Sequence, residues 1–362
     1  MLSPPPPNSA AMQTVLAADI QAVLARDLPW QQLSGARVLV TGAAGFLGGY
    51  LTRTLLALHA AGQVSKPVQV VALVRDLARA RERFAGLLQH PDFSLLAWDL
   101  NTIAVPDIQG CNHVLHAASQ ASPRFYGTDP VGTLLPNTVG TAALLEALRR
   151  TGNAQAFLFV SSSEVYGAVS TQANLPEDGY GVVNPATVRA CYAESKRMGE
   201  TMCVAWHQQH GVPAFIVRPF HTYGPGLQAD DGRVFADFVF NLLRNEPIVM
   251  ASDGSARRAF CYASDAVAGF FSVLLKGQPA VPYNVANPAG ELSVYELAQL
   301  LVDLYPERGL QVQRSTASTS NNYLPSAYNR LVPDVNRLQA LGWRAHISPA
   351  AGFRRMIEAY QA

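Results

Sequence analysis

The turn Thr41-Gly42-Ala43-Ala44-Gly45-Phe46-Leu47-Gly48 constrains this chain most. It follows the apolar run Arg37–Thr41 and opens an apolar helical pattern. In such a strand–turn–helix unit, Gly42 allows the tight turn. Gly45 admits a pyrophosphate to the backbone, and Gly48 lets helix and sheet pack closely. The free N–H groups and positive dipole end of the helix then face the phosphates. A glycine triad could be structural alone, but its position after an apolar strand points to a dinucleotide.

Strand and helix patterns alternate along the chain from this turn. Strands are expected at Arg37–Thr41, Val68–Val74, Ser94–Ala97, His113–His116, Ala156–Val160 and Ala214–Arg218. Helices are expected at Phe46–Ala61, Leu77–Leu88, Val131–Thr151 and Val188–His210. The strands are continuous apolar runs, the pattern of a parallel sheet covered on both faces. The expected fold class is therefore α/β: a Rossmann doubly wound parallel sheet with a smaller mixed α/β substrate-binding domain. Residues 1–33 read as a tail, with four consecutive prolines inside Ser3–Ser9, and an added helix, Met12–Leu28. Residues 34–218 read as the dinucleotide domain. Residues 219–362 read as mainly substrate-binding, with Tyr283–Ala286 as a candidate strand returning to the sheet.

Composition narrows the function. A net charge of +1 without Lys/Arg runs argues against nucleic acid as a partner. No apolar run approaches the roughly 20 residues of a membrane span, and no signal peptide is visible, so a cytoplasmic location is expected. The four cysteines, Cys111, Cys191, Cys203 and Cys261, lack CxxC spacing and read as free thiols. The histidines show no metal-ligand spacing, so no metal is expected.

At the second strand tip, Val74 stands where an acid that binds ribose hydroxyls is usual. Arg75 is placed to pair with a 2′-phosphate, and Asp76 to reach the ribose instead. NAD is the expected cofactor, with NADP open because of Arg75. Ala44, Phe46 and Leu47 of the glycine turn join its pocket. So do Asp99 and Leu100 after the third strand, and Ala117, Ala118 and Ser119 after the fourth. Asn137 and Pro219 complete the expected set.

The chemical centre is Tyr192-Ala-Glu-Ser-Lys196. A spacing of four puts Tyr192 and Lys196 on one helical face, where an ammonium favours phenolate. The strand end Ser161-Ser162-Ser163-Glu164 brings a hydroxyl and a carboxylate to the same crevice.

Together these motifs resemble the extended short-chain dehydrogenase/reductase family of sugar-nucleotide epimerases, dehydratases and decarboxylases. The resemblance spans roughly Arg37–Tyr360. Beyond the motifs above it includes RPFHTYGPG from Arg218 and DGSARRAFCYASDA from Asp253. It implies Ser162, Tyr192 and Lys196 as catalytic groups, and places Arg258 at the substrate diphosphate or near the sugar. The nearest likeness is to UDP-glucuronate decarboxylases, through the His116–Pro123 loop with Tyr126 and Asp129-Pro130, and through Asp231–Val234 with Phe238. Glu164 is then catalytic. Ser122, Pro123, Ser163, His221, Arg233 and Arg258 are the expected substrate residues, and the partner is a UDP-sugar or other sugar nucleotide. Related 4,6-dehydratases carry an Asp–Glu pair where this chain has Ser163-Glu164. The chain departs from the decarboxylases at Val74–Arg75 and at Ala193–Ser195. A 4-epimerase, a 4,6-dehydratase and a keto-sugar reductase remain alternatives, and the resemblance implies a homodimer.

Overall fold

The computed structural model describes residues 9–108, 110–169, 173–250, 252–314 and 329–361. Most of the proline-rich tail lies outside these residues. Seven parallel strands make one sheet: β1 Arg37–Thr41, β2 Gln69–Val74, β3 Phe93–Ala97, β4 His113–His116, β5 Ala156–Val160, β6 Ala214–Pro219 and β7 Pro282–Val285. Their order is β7-β6-β5-β4-β1-β2-β3. The order reverses between β1 and β4, and a doubly wound sheet opens its ligand crevice at such a switch point.

The alternating side chains of these strands build two cores. Val38 and Val40 of β1 face one with Val70 and Ala72 of β2, while Leu39, Val71 and Leu73 face the other. The first core is covered by α1 Ala10–Leu24, α2 Phe46–Ala57 and a long helix, Ala263–Lys276. The second is covered by the two helices Val139–Arg150 and Ala190–His210. Burial on both faces explains why the strands lack polar alternation.

The helix expected at Val131–Thr151 is two helices, Pro130–Asn137 and Val139–Arg150, broken at Thr138 (φ −113°, ψ −80°). Pro136 has no N–H to donate, so the first helix cannot run on unstrained. The freed groups find partners: the Thr138 hydroxyl donates to the Leu134 carbonyl at 3.0 Å, and the Pro136 carbonyl lies 3.0 Å from His116 Nε2. The helices expected at Phe46–Ala61 and Leu77–Leu88 stop earlier, at Ala57 and Arg83.

The added helix is present as α1. Its Asp19 is fully buried and accepts hydrogen bonds from Tyr50 and Tyr262, each at 2.8 Å, with Arg355 at 3.3 Å. One carboxylate thus joins α1 to α2 and to the C-terminal helix Pro349–Tyr360. Beyond β6 the elements are short, and Arg257–Ala259 pairs antiparallel with Glu291–Ser293 and parallel with Arg330–Leu331. The strand expected at Tyr283–Ala286 does return to the sheet, as β7 beside β6.

Candidate active site

The glycine turn sits at the switch point. Gly42 adopts φ 65°, and a Cβ there would lie 2.8 Å from backbone atoms of Ala117 and Ala118. A Cβ on Gly48 would lie 2.1 Å from the Gly42 carbonyl oxygen. The turn and the loop after β4 therefore approach through bare backbone. They are also tied by side chains: Thr41 Oγ1 accepts from the Ala118 N–H at 3.1 Å and lies 2.7 Å from His116 Nδ1. Burial pushes His116 down to about 3, so it is the neutral ring that bridges Thr41 and Pro136. Ala44, Phe46 and Leu47 are partly exposed at the mouth of this turn.

Arg75 is exposed at the end of β2. The Asp76 carboxylate caps the next helix, Leu77–Arg83, accepting from the Ala78 and Arg79 N–H groups at 2.9 and 3.1 Å. Arg75 and Asp76 are both exposed, but the Asp76 carboxylate is engaged by backbone. Asp99 accepts from the Asn101 N–H at 3.0 Å, shaping the loop after β3, and Leu100 is buried beside it. Pro219 ends β6, paired with Val285. Asn137 is fully buried. Its amide donates to the Thr133 carbonyl and to Ser195 Oγ, each at 3.0 Å, so it braces the helix that carries Tyr192.

That helix, Ala190–His210, presents Tyr192, Lys196 and Glu200 at intervals of four, on one face. All three are buried. Glu200 takes Ser161 Oγ at 2.5 Å and the Arg218 guanidinium at 2.6 and 2.8 Å, fixing the helix to the ends of β5 and β6. Lys196 donates to the Val160 carbonyl at 2.7 Å and stands 4.9 Å from the centre of the Phe159 ring. Burial lowers its pKa to about 7, with Glu200 opposing. Burial pushes Tyr192 up to about 12. A hydrogen bond from Ser162 and the Arg233 charge oppose this rise, while Glu164 adds to it. Ser162 ends the strand in extended geometry, and its Oγ also accepts from the Glu164 N–H at 3.2 Å. Ser119 faces the same phenol and, like Ser162, opposes the rise.

The other wall is made of charge. Arg233 engages Asp231 through two nitrogens, at 2.5 and 2.8 Å. Ser122 Oγ donates to the Asp231 carbonyl, holding the loop after β4 against this segment. Pro123 starts the short helix Arg124–Thr128, and Tyr126 of that helix stacks on Tyr192 with centroids 5.0 Å apart. Arg258 is buried, its Nη1 donating to the carbonyls of Arg257 and Asn329. Burial, then Arg258 and Arg233, push His221 well below its ordinary range, and its Nδ1 is buried without a partner among the described residues. Ser163 is buried behind Ser162.

The structure therefore gathers Ser162, Glu164, Tyr192, Lys196, His221 and Arg233 around one crevice. Sequence reasoning missed Arg189, whose Nη2 meets both Glu164 oxygens at 3.0 and 2.9 Å, and the brace of Glu200 with Arg218. A signal existed for both: Arg189 precedes Tyr192 by three residues and Glu200 follows Lys196 by four, which are helical face spacings. Among the described residues, no cluster of three or more His, Cys, Asp or Glu could hold a metal ion. No described helix is long and apolar enough to cross a membrane.

A glycine-turned Rossmann sheet with Ser, Tyr and Lys at its switch point defines a nicotinamide-dependent enzyme of the short-chain dehydrogenase/reductase type. The model of the NAD dependent epimerase/dehydratase family matches residues 38–286, and the chain belongs to that family. It is 33% identical to UDP-glucuronic acid decarboxylase 3 of Arabidopsis thaliana, over 90% of this chain and 89% of that protein. It is 34% identical to UDP-glucuronic acid decarboxylase 1 of Danio rerio, over 89% and 72%. Among solved structures, it resembles a dTDP-glucose 4,6-dehydratase (DesIV) of Streptomyces venezuelae. That match has a TM-score of 0.75, with 24% identity over 90% of this chain and 96% of the other. It also resembles a UDP-glucuronic acid 4-epimerase of Bacillus cereus solved with UDP-glucuronic acid and NAD. There the TM-score is 0.74, with 22% identity over 90% and 98%. At these identities the solved structures speak for the fold.

Proposed function

We propose that this enzyme decarboxylates a UDP-hexuronic acid to a UDP-pentose through transient oxidation at sugar C4. The observation that carries the reading is the likeness to UDP-glucuronic acid decarboxylases at a third of positions along nine-tenths of the chain. The site is consistent with it. Ser163 stands beside Glu164 with no second acid to expel a hydroxide, and carbon dioxide needs no such acid to leave.

The residues fit a nicotinamide dinucleotide: a side chain at Gly42 would collide with the backbone of Ala117 and Ala118, and one at Gly48 with the Gly42 carbonyl, so the turn and the loop after β4 offer bare backbone to a phosphate. The glycine turn, Ala117–Ser119, Tyr192, Lys196 and Pro219 would hold it. When bound, this group accepts hydride from C4 and later returns it. Tyr192 takes the proton from the C4 hydroxyl, which Ser162 orients. Lys196, whose Nζ lies 5.8 Å from the centre of the Tyr192 ring, would favour phenolate when it holds its proton. The resulting 4-ketone makes the C5 carboxylate a β-keto acid, and loss of carbon dioxide leaves an enolate. Glu164 manages the proton at C5, while Arg233 and Arg258 neutralise the diphosphate. His221 stays uncharged between the two arginines. NAD is the proposed cofactor. The exposed Arg75, with Asp76 engaged in capping, supports NADP as the second reading.

Exposed Met198 and Val204 on the helix Ala190–His210, with exposed Val188 just before it and Val131 on the helix Pro130–Asn137, support a homodimer, and light scattering at micromolar concentration should give twice the chain mass. The four cysteines, buried and unpaired, support a cytoplasmic location. Incubation with UDP-glucuronic acid should yield a product lighter by one carbon dioxide. A product retaining all six sugar carbons would overturn the decarboxylase reading and leave the family standing.

A further inference from the structure

The contact between Arg189 and Glu164 has an unusual form. One nitrogen, Nη2, spans both carboxylate oxygens at 3.0 and 2.9 Å, where arginine ordinarily uses two nitrogens in a fork. The Arg189 guanidinium carbon lies 4.9 Å from the centre of the Tyr126 ring. That ring is stacked on Tyr192 at 5.0 Å, with 16° between the planes. The aromatic pair thus joins the arginine to the catalytic phenol, and the arginine draws the carboxylate toward itself. Each side chain of the ion pair is a quarter exposed (25%), so the contact is partly screened.

The groups around the phenol come from several elements. Ser162 and Glu164 follow β5, Ser119 follows β4, and Tyr126 comes from the short helix behind that loop. Arg233 opens the helix Val234–Leu243, and Lys196 shares the helix of Tyr192. Arg233, paired with Asp231, still favours ionisation of the phenol. Glu164 is the acid acting on Tyr192, and it opposes ionisation of the phenol.

We propose that Arg189 is a positioning residue: by pinning the Glu164 carboxylate it keeps that charge off the Tyr192 hydroxyl, which is left to Ser162 and the substrate. The proposal rests on the assignment of Tyr192 as base at C4, and not on what happens at C5. Freed of Arg189, Glu164 would present an unbalanced charge to the phenol, or accept its proton in a hydrogen bond. Either holds Tyr192 protonated and delays oxidation at C4.

The test follows reduced nicotinamide absorbance after the holoenzyme is mixed with UDP-glucuronic acid, across pH. A second arm uses UDP-xylose, which has a C4 hydroxyl but no carboxylate. Arg189→Met should move the rise in oxidation rate to higher pH by about one unit or more, the size of a nearby opposite charge. KM should change less than the rate. Arg189→Lys should keep the wild-type profile. Glu164→Gln should move the profile the other way, which tests the idea even if Arg189→Met fails to fold. Arg189→Met with Glu164→Gln should return the profile toward wild type, although pentose formation stays slow. A wild-type profile in Arg189→Met, or an alkaline shift that survives in the double variant, overturns the proposal. Product mass decides the decarboxylase reading separately, because oxidation at C4 precedes any loss of carbon.

Discussion

Two walls face each other across the crevice. On one, Gly42, Gly48 and the Ala117–Ser119 loop approach through main chain, and atoms that a Cβ would displace lie 2.1 to 2.8 Å away. On the other, Arg233, Arg258, Arg189 and Glu164 bring side-chain charge around a neutral His221. On the proposed function the first wall would take a pyrophosphate, a group common to every dinucleotide, and backbone suffices to bind it. On the proposed function the second would distinguish one sugar nucleotide from another, through side chains that can change without moving the sheet. Tyr192 and Lys196 stand at the seam, on a helix fixed to the sheet by Glu200 and Arg218.

The largest effect is expected at that seam. On the proposed mechanism Tyr192→Phe removes the proton acceptor and leaves both walls intact. Turnover should fall by about 10² to 10⁴, the usual worth of a general acid–base group, while cofactor content of the purified protein stays at the wild-type level. Activity within threefold of wild type would take Tyr192 out of the mechanism.

Arg75 tests whether the backbone wall carries a side-chain discriminator of its own. If it pairs with a 2′-phosphate, Arg75→Ala should weaken NADP by roughly 1.5–3 kcal/mol, the range of hydrogen bonds to charged groups. NAD binding, measured by the same titration, should be unchanged. Equal losses, or none, would remove the residue from cofactor choice.

The two walls also differ in how legible they were. The glycine turn, the seven strands (the last as a candidate) and the Tyr192/Lys196 pair follow from local pattern, because apolar runs, turn glycines and helical spacing act within a few residues of one another. The break at Thr138 was written locally too, in Pro136, yet the apolar periodicity on either side masked it. The charged wall was legible only as candidates. Nothing in the spacing of Ser122 and Asp231, or of Glu164 and Arg189, shows that they touch, since distant segments meet there only after the sheet has formed. Asp76 shows the converse limit: from sequence it was free to reach a ribose, and in the fold its carboxylate caps a helix.

Gly48→Ala tests the backbone wall without touching charge. Its methyl group would press on the Gly42 carbonyl, and helix α2 would have to move off the sheet. Overpacking of this kind costs about 1–3 kcal/mol. Thermal unfolding should show that loss together with lower cofactor content, whereas UDP-sugar binding should change little. Full cofactor content in a destabilised variant would make Gly48 a packing residue alone.

The smallest effect separates the walls by their titration. Burial lowers the folded pKa of Lys196 to about 7, against 10.5 for the free side chain. Between those values the unfolded chain holds a proton that the folded, cofactor-free protein has released. More protons bound in the unfolded state means stability that rises with pH. The contribution is therefore smallest near pH 7 and grows above it. Burial raises the buried cysteines Cys111, Cys191, Cys203 and Cys261, which imposes the opposite slope as unfolded thiols ionise. The clean quantity is thus the difference between wild type and Lys196→Met. Denaturant unfolding of cofactor-free protein from about pH 7 to 9 should show wild type gaining on the variant. Asp231 holds the Arg233 pKa above its ordinary value against burial, so Arg233→Ala should leave the slope alone even where it lowers stability. A pH-independent gap between wild type and Lys196→Met would mean that the ammonium keeps its proton in the folded protein, balanced by Glu200 beneath it.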